Sequence, residues 1–255
     1  DFIWEDLYSS RIKLNEVDVL VHLGSARPWA SPDEINNSVE KSAELFRQYA
    51  KHGVGKVIFA SSQSVYDPMV SGPWNEQHPI APQSLYASHK YSIELQLKAL
   101  THIKSDIHAY ILCIASLVGE SAGEFKNDLV HRMIHDALTK QTLNIEGGSQ
   151  LVSRLHYKDA IHGIKKCFNF DGHSHNGFEV FNLSHNEATK LSELANMIKE
   201  HFVTKGLNIS IKHSTNSANS ARIYTPKSNR FMKKFSWRPQ YDFEEIISRI
   251  IEERS

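Results

Sequence analysis

The fold is decided by KVIFASSQSVY, residues 56–66, an apolar run that ends in two serines and a short polar turn. Its apolar residues begin with the β-branched pair Val57 and Ile58, and a short continuous run of this kind is typical of a strand buried on both faces. Such strands belong to parallel sheets that are covered by helices. The run therefore predicts an α/β fold in which Ser61 and Ser62 lie at the carboxyl end of a strand, where these sheets bind ligands.

Strand and helix patterns alternate on both sides of this run. The sequence VDVLVHL, residues 17–23, predicts a strand, and residues 33–52 carry apolar side chains at helical spacing. A proline-containing loop is followed by a predicted helix at 85–101 and a further strand at 108–114. Because this alternation is the signature of a parallel sheet, the first part of the chain predicts a doubly wound α/β architecture.

The pattern is less regular beyond residue 119. The spacing of apolar residues there predicts further elements, namely helices at 127–140, 159–168, 189–202 and 242–253 and strands at 150–157, 178–183 and 207–213. We therefore predict two domains. Residues 1–118 hold the doubly wound sheet, and residues 119–255 form mainly a smaller α/β lobe, from which residues of about 151–183 return to the sheet.

The charges of the chain are balanced, with 29 basic and 29 acidic residues and a formal net charge of zero. This balance provides no basic surface for nucleic acid, and no apolar run approaches the ~18 residues that a membrane span needs. The two cysteines, Cys113 and Cys167, lie in apolar stretches without metal-ligand spacing, and the histidines form no ligand cluster. We expect a cytoplasmic protein whose partner is a small molecule, with no metal, nucleic acid or membrane bound.

A second motif, YASHK at residues 86–90, lies in a predicted helix. Tyr86 and Lys90 share one face of that helix, and among nine tyrosines only Tyr86 has a lysine four residues on. A nearby cation favours phenolate, so we expect Lys90 to lower the phenol pKa from about 10 towards neutral pH, where proton transfer is efficient. With Ser62 on the same substrate oxygen, the three residues predict an acid/base site for hydride transfer. The alternative interpretation of Tyr86 and Lys90 is a solvated helix face.

Six segments of the chain resemble the motifs of one family in the same order, one of them being residues 180–183, which resemble a Phe-Asn-Ile-Gly strand. Residues 17–25 resemble a strand with the pattern Asp-Val-x-x-His-Leu-Ala-Ala, and residues 59–66 resemble a Ser-Ser-x-x-Val-Tyr segment. Residues 86–90 match a Tyr-x-x-x-Lys pair, residues 154–159 resemble a strand that ends in His-Val-Asp-Asp, and residues 235–239 resemble Leu-Gly-Trp-x-Pro. The chain thus resembles the extended short-chain dehydrogenases/reductases of the NAD-dependent epimerase/dehydratase group. The resemblance implies a Rossmann-type doubly wound parallel sheet with a smaller C-terminal α/β substrate lobe.

The resemblance also implies NAD as the cofactor and assigns roles to residues of this chain. The catalytic residues would be Ser62, Tyr86 and Lys90. The residues implied to bind NAD are Asp1, Leu23, Gly24, Ser25, Asn37, Ala60, Ser61, Tyr86, Lys90 and Ile114. The residues implied to bind substrate are Ser62, Gln63, Ser116, Asn127, Asp128, Arg154 and Arg222.

The chain departs from the family pattern at its start. Members open with a Gly-x-x-Gly-x-x-Gly turn that holds the dinucleotide, whereas this chain begins at Asp1, which resembles the later acidic residue that contacts adenine. Compared with the family pattern, we therefore expect the sequence to lack an N-terminal βαβ unit of about fifty to sixty residues. We expect the native protein to be longer, with a truncated, inactive remnant as the alternative.

Other departures concern the substrate. Dehydratases of the group usually carry an Asp-Glu pair after the catalytic Ser/Thr, and because Gln63 and Ser64 stand there, dehydration is disfavoured. The arginine that would grip a diphosphate is replaced by Val152. Arg154 lies two residues further on, hence on the same face of a strand, and is the candidate to substitute for it.

We therefore predict an NAD-dependent nucleotide-sugar epimerase, in which 4-epimerisation proceeds by transient hydride transfer through a keto intermediate. Two alternatives stay open, namely an NAD(P)-dependent sugar or carbonyl reductase that uses the same site, and a non-catalytic dinucleotide-binding remnant of the fold. The resemblance also implies a homodimer that forms through the helices at 33–52 and 85–101.

Overall fold

The computed structural model describes residues 16–51, 55–120, 128–170, 177–214 and 226–254. The described residues fall into two compact units that are interleaved along the chain. The first unit contains the described residues up to Asp67 together with Glu76–Ile114 and Ile164–Asn182. The second contains Pro68–Asn75, Ala115–Gly163 and the described residues from Leu183 onwards. The functional division near residue 118 stays a prediction.

The described residues form ten strands and seven helices. The strands are β1 (Val19–His22), β2 (Lys56–Ser62), β3 (His108–Ile114), β4 (Leu117–Val118), β5 (Thr142–Glu146), β6 (Leu151–Val152), β7 (Leu155–His156), β8 (Phe178–Leu183), β9 (Thr189–Lys190) and β10 (Ser210–Ser214). The helices are α1 (Pro32–Lys51), α2 (Leu85–Ile103), α3 (Leu129–Lys140), α4 (Tyr157–Phe168), α5 (Leu191–Thr204), α6 (Asn229–Phe235) and α7 (Phe243–Arg254). Within the part of the chain that the structure describes, none of the helices is both long enough and apolar enough to span a membrane.

The first unit is built on a sheet whose strands stand in the order β1-β2-β3-β8. β1 pairs in parallel with one side of β2, with His22 opposite Phe59. β3 pairs in parallel with the other side of β2, with Ser62 opposite Ile114. These pairings confirm the predicted α/β fold with a parallel, Rossmann-type sheet, and they put Ser62 at the carboxyl end of an interior strand.

Helices α1 and α2 each bury an apolar face in the core of this unit. The buried residues of that core come from both helices and from the strands, and they are Phe46, Tyr49, Ala50, Val57, Phe59, Ile93, Leu97, Ile107, Ala109 and Ile111. Because the interior strand is apolar along most of its length, it can be covered in this way. The packing fixes α2 against β2, which positions the candidate site.

The second unit has its own core, in which α3, α5 and α7 pack with strands β5 and β10. β5 and β10 pair in parallel, with Leu143 opposite Ile211. The buried residues of this core are mainly aliphatic and include Val130, Ile134, Leu143, Ile145, Leu194, Ile198, Phe202, Ile246 and Ile250. The strand β5 and the short helix α6 were not predicted from the sequence, since neither has a long periodic pattern.

The single strand predicted at 150–157 is divided in the structure. β6 pairs antiparallel with β9, whereas β7 pairs in parallel with β4. Ser153 and Arg154 lie between β6 and β7. Ser153 Oγ donates a hydrogen bond to the His185 carbonyl at 3.2 Å. Arg154 Nε donates one to the Asp128 carboxylate at 2.8 Å. The prediction of one continuous strand was wrong, because an alternating pattern does not show where a strand changes its partner.

Candidate active site

Ser62 ends β2 and caps the 3₁₀ turn Gln63–Val65 that follows it. Its Oγ accepts hydrogen bonds from the Ser64 amide at 3.2 Å and from the Ser64 hydroxyl at 2.9 Å. The turn closes with a hydrogen bond from the Tyr66 amide to the Gln63 carbonyl at 3.2 Å. These bonds hold the Ser62 hydroxyl at the end of the strand, with its own proton left for another acceptor.

Tyr86 lies in the first turn of α2. The helix begins at Leu85 because Ser84 caps it, with Ser84 Oγ accepting a hydrogen bond from the Ala87 amide at 3.1 Å. Tyr86 is half-buried, and its phenol forms a hydrogen bond with Ser62. The structure thus brings together two residues that lie 24 positions apart in the sequence.

Lys90 lies one turn further along α2, with only 3% of its surface exposed. Its Nζ donates a hydrogen bond to the Ala60 carbonyl at 2.7 Å and lies 5.7 Å from the centre of the Tyr86 ring. The centre of the Phe59 ring lies 5.0 Å from the same nitrogen. Ser62, Tyr86 and Lys90, which the sequence predicts to act together, are therefore neighbours at the end of β2.

Burial dominates the ionisation of the phenol and the amine. It raises the pKa of Tyr86 above its ordinary value, and the hydrogen bond with Ser62 and the charge of Arg27 oppose that rise only in part. Burial also lowers the pKa of Lys90 to about 8, against the influence of the Glu94 carboxylate. The expected lowering of the Tyr86 pKa is therefore wrong for this structure, because the spacing of two residues on a helix does not report how deeply they are buried.

A cleft of about 550 Å³ lies beside the carboxyl end of β1. It is lined by the loop after β1 and by α1, including Gly24, Ser25, Arg27, Trp29, Asn37 and Lys41. The Ser25 hydroxyl is buried and has no hydrogen-bond partner among the described residues. The guanidinium carbon of Arg27 lies 6.0 Å from the centre of the Trp29 ring. The sequence did not predict a role for either residue. Their position directly after a strand and a Gly-Ser turn was the signal that could have found them.

Other residues predicted to bind NAD occupy different surroundings. Leu23 follows β1 and is 57% exposed. Ser61 faces the core, where its hydroxyl donates a hydrogen bond to the Glu94 carboxylate. Ile114 ends β3, and Asp1 lies outside the described residues. The Ser61 hydroxyl therefore bonds to a protein group, which the sequence does not predict.

In the second unit, two residues predicted to bind substrate are paired with each other. Asp128 caps α3, with one carboxylate oxygen accepting from the Val130 amide at 2.8 Å and the other from Arg154 Nε at 2.8 Å. Arg154 also donates to the Ser153 carbonyl at 2.9 Å. The Arg154 and Asp128 side chains are only 15% and 10% exposed. The charge of Arg154 is thus balanced by a carboxylate of its own unit.

The remaining residues predicted to bind substrate are not all described. Ser116 precedes β4, and its carbonyl accepts a hydrogen bond from the Leu155 amide at 3.0 Å. Gln63 opens the 3₁₀ turn of the first unit, and Asn127 and Arg222 lie outside the described residues. Across the described ranges, no group of three or more His, Cys, Asp or Glu side chains is placed to hold a metal ion.

Comparison with known sequences gives one family and several relatives. The model of the NAD dependent epimerase/dehydratase family matches residues 6–183, which is more than half of the chain. A putative UDP-glucose 4-epimerase of Methanocaldococcus jannaschii is 24% identical over 94% of this chain and 78% of its own length. UDP-glucose 4-epimerase 4 of Oryza sativa subsp. japonica is 22% identical over 83% of this chain and 61% of its own length.

Solved structures are similar in fold over almost the whole chain. UDP-N-acetylglucosamine 4-epimerase from Bacillus cereus aligns with a TM-score of 0.79 at 22% identity, covering 100% of this chain and 85% of that one. MoeE5 in complex with UDP-glucuronic acid and NAD aligns with a TM-score of 0.78 at 22% identity, covering 98% of this chain and 83% of that one. At a sequence identity of 22%, these similarities establish that the chain shares the fold of both structures.

Proposed function

The chain belongs to the NAD-dependent epimerase/dehydratase family of enzymes, and we propose that it interconverts nucleotide sugars of opposite configuration at C4, by transient hydride transfer through a keto intermediate. The observation that carries this proposal is the end of β2, where Ser62 is hydrogen-bonded to Tyr86 and the buried amine of Lys90 lies beside them. A phenol, a hydroxyl and an ammonium group at one place are suited to moving the proton of a sugar hydroxyl. Gln63 and Ser64 follow Ser62 without a carboxyl group, which disfavours the elimination of water.

NAD is the cofactor that defines the family, and residues of the first unit fit it. Gly24 and Ser25 line the cleft beside β1 without bulky side chains, and the buried Ser25 hydroxyl has no protein partner within the described ranges, so it can serve a ligand. Asn37 contributes an amide to the same cleft. In this proposal Gly24, Ser25 and Asn37 hold the dinucleotide together with Lys90. When bound, NAD supplies the acceptor that takes the hydride from the sugar and gives it back.

Tyr86 is the base of the proposed reaction. Burial raises the pKa of Tyr86, and the hydrogen bond with Ser62 and the charge of Arg27 oppose that rise. In this proposal the phenolate also depends on the Lys90 ammonium group, whose nitrogen lies 5.7 Å from the centre of the ring. The phenolate takes the proton of the sugar hydroxyl and later returns it, while Ser62 holds the reacting oxygen. Lys90, fixed by the Ala60 carbonyl, keeps a positive charge next to the phenol.

The proposal is tested by incubating the protein with NAD and UDP-glucose, UDP-galactose or UDP-N-acetylglucosamine and following the sugar protons by NMR. Appearance of the C4 epimer of any of these sugars supports it. Conversion of only a free sugar or carbonyl compound with NADH or NADPH would support the reductase instead. Binding of NAD without turnover of any substrate would favour the non-catalytic alternative.

We expect Asp128→Asn to tighten the binding of UDP. Arg154 is the cation proposed to meet the diphosphate, and in the structure Asp128 holds its Nε at 2.8 Å. An asparagine still caps α3 but no longer competes as a negative charge. The Kd for UDP, measured by calorimetry, should therefore fall by about 3- to 10-fold.

Asp136→Asn is the matched control, because Asp136 also lies on α3 and pairs with Lys140 at 2.8 Å in a more exposed ion pair. It should leave the Kd for UDP unchanged. The double variant Asp128→Asn/Arg154→Leu should lose the gain in affinity. An unaltered Kd in Asp128→Asn would show that Arg154 does not meet the diphosphate.

Apolar side chains on α2 support the proposed homodimer. Leu85, Leu95 and Ile103 are 46%, 49% and 76% exposed. A contiguous patch of such residues is typical of surfaces that pack against a partner, whereas single exposed apolar residues are common on monomers. A dimer through the helices at 33–52 and 85–101 is therefore part of the proposal, and both the dimer and the cytoplasmic location stay predictions.

A further inference from the structure

Glu94 is a buried carboxyl group that the proposed mechanism does not use. It lies on α2, four residues after Lys90 and eight after Tyr86, so the three side chains share one face of the helix. Only 5% of its surface is exposed. Because burying a carboxyl group is costly unless its partners compensate, the position of Glu94 needs a physical reason.

Glu94 and Lys90 connect α2 to successive residues of β2. The Glu94 carboxylate accepts a hydrogen bond from the Ser61 hydroxyl, and Lys90 donates to the carbonyl of the residue before Ser61 at 2.7 Å. The next residue of the strand is Ser62, which is bonded to Tyr86. The two polar contacts therefore set the separation of strand and helix at which the hydrogen bond between Ser62 and Tyr86 forms.

Within the described residues, Lys90 is the cation that acts on Glu94. From β3, the Cys113 thiol lies 3.9 Å from Glu94 Oε1, and burial raises the pKa of this thiol well above its ordinary value. Tyr66, which follows the 3₁₀ turn, is also uncharged, because burial raises the pKa of its phenol. Glu76 is a second acidic group near Tyr66 and Cys113. The surroundings of Glu94 thus offer one positive charge against neutral or acidic groups.

Lys90 in turn faces two histidines that carry no charge at neutral pH. Burial first, and then the charge of Lys90, lower the pKa of His22 and of His89 to about 4. Burial raises the pKa of Glu94 to about 7, against the Ser61 hydrogen bond and the Lys90 charge. Because Lys90 itself has a pKa of about 8, the carboxyl group and the amine change charge in the same pH range and act as a coupled pair.

We propose that Glu94 is a positioning residue of the site: its carboxylate keeps the Lys90 amine charged and holds α2 against the end of β2, which extends turnover to alkaline pH. The inference rests on the proposed use of Tyr86 and Lys90 in catalysis. Without the carboxylate, the desolvation of the ammonium group is less opposed, so Lys90 loses its proton at lower pH. A neutral Lys90 no longer favours the phenolate, and turnover is then lost from the alkaline side first.

The first test reads the charge of Lys90 without any assay of turnover. NMR of protein with carbon-13-labelled lysine side chains follows its titration, and the signal is identified by its absence in Lys90→Arg. Glu94→Gln should move this titration down by about one pH unit. Glu94→Asp keeps a carboxylate and should restore part of that change. Glu40→Gln, the same substitution at an exposed position of α1, should leave the titration in place.

The second test is the pH profile of kcat/KM. Near pH 8, Glu94→Gln should turn over about five-fold more slowly than the unaltered protein. With a Lys90 pKa of about 8, about half of the amine is charged at this pH in the unaltered protein. A Lys90 pKa lower by about one leaves roughly a tenth of it charged in the variant. Near pH 6 the two proteins should converge, since Glu94 is largely protonated there and Lys90 is charged in both. A merely structural role for Glu94 would instead lower turnover by the same factor at both values of pH.

The NMR result separates this inference from the proposed function. An unmoved Lys90 titration in Glu94→Gln would overturn the inference even in an active epimerase. A moved titration in a protein without turnover would support the role of Glu94 on Lys90 and reject the proposed function. Should Glu94→Gln not fold, Ser61→Ala removes the hydrogen bond to the carboxylate and should move the Lys90 titration in the same direction. An unmoved titration in that variant also overturns the inference.

Discussion

Tyr86→Phe is expected to lower kcat/KM for C4 epimerisation by about 1,000-fold, which is within the range for loss of a general base. The substitution deletes one oxygen atom and keeps the ring, so the packing of α2 is retained. Ser62 loses the phenol as a partner at the same time but keeps its hydrogen bonds from Ser64. The proton of the sugar hydroxyl loses its acceptor. The NMR assay measures the rate, and calorimetry should show that the Kd for UDP changes by less than about two-fold.

Tyr91→Phe provides the matched control. Tyr91 also lies on α2, and the change removes the same phenol oxygen five residues further along the helix. Its kcat/KM should equal that of the unaltered protein. If Tyr86→Phe kept the full rate as well, Tyr86 would not be the base, and the mechanism proposed for Ser62, Tyr86 and Lys90 would have to be abandoned.

The location of the candidate site could be predicted from short-range signals. The apolar run at 57–60 indicates a strand buried on both faces, and its polar end then has to lie where the strand leaves the core. The spacing of Tyr86 and Lys90 places both on one face as soon as the segment is helical. Both predictions use only neighbouring residues in the sequence, so the site could be located at the end of this strand, where Ser62 lies.

Ionisation and ion pairing could not be predicted in this way, because they depend on residues that are distant in the sequence. The pKa of Tyr86 rises rather than falls, since the folded chain buries the phenol. Arg154 is paired with Asp128, which precedes it by 26 residues. The role of Glu94 could not be predicted either. Its spacing from Lys90 repeats that of Lys90 from Tyr86, but a single glutamate in a helix is mostly solvated.

Lys56 is another residue whose role depends on a distant part of the chain. The sequence predicts only that it begins a strand. In the structure it is 8% exposed, and its Nζ donates to the carbonyls of Cys167, Phe168 and Phe170 at 3.3, 3.0 and 2.6 Å. These carbonyls lie at and just beyond the end of α4, where backbone acceptors lack helical partners and the helix dipole is negative.

We therefore expect Lys56→Met to lower the free energy of unfolding of the first unit by about 3 kcal/mol, because three carbonyls lose charge-assisted hydrogen bonds while the apolar stem is kept. Lys51→Met makes the same change at the exposed end of α1 and should cost less than about 0.5 kcal/mol. The two variants are compared by urea unfolding, with hydrogen exchange of the β2 and β3 amides as the readout. If they differed by less than about 1 kcal/mol, water would have to satisfy these carbonyls once the lysine is gone.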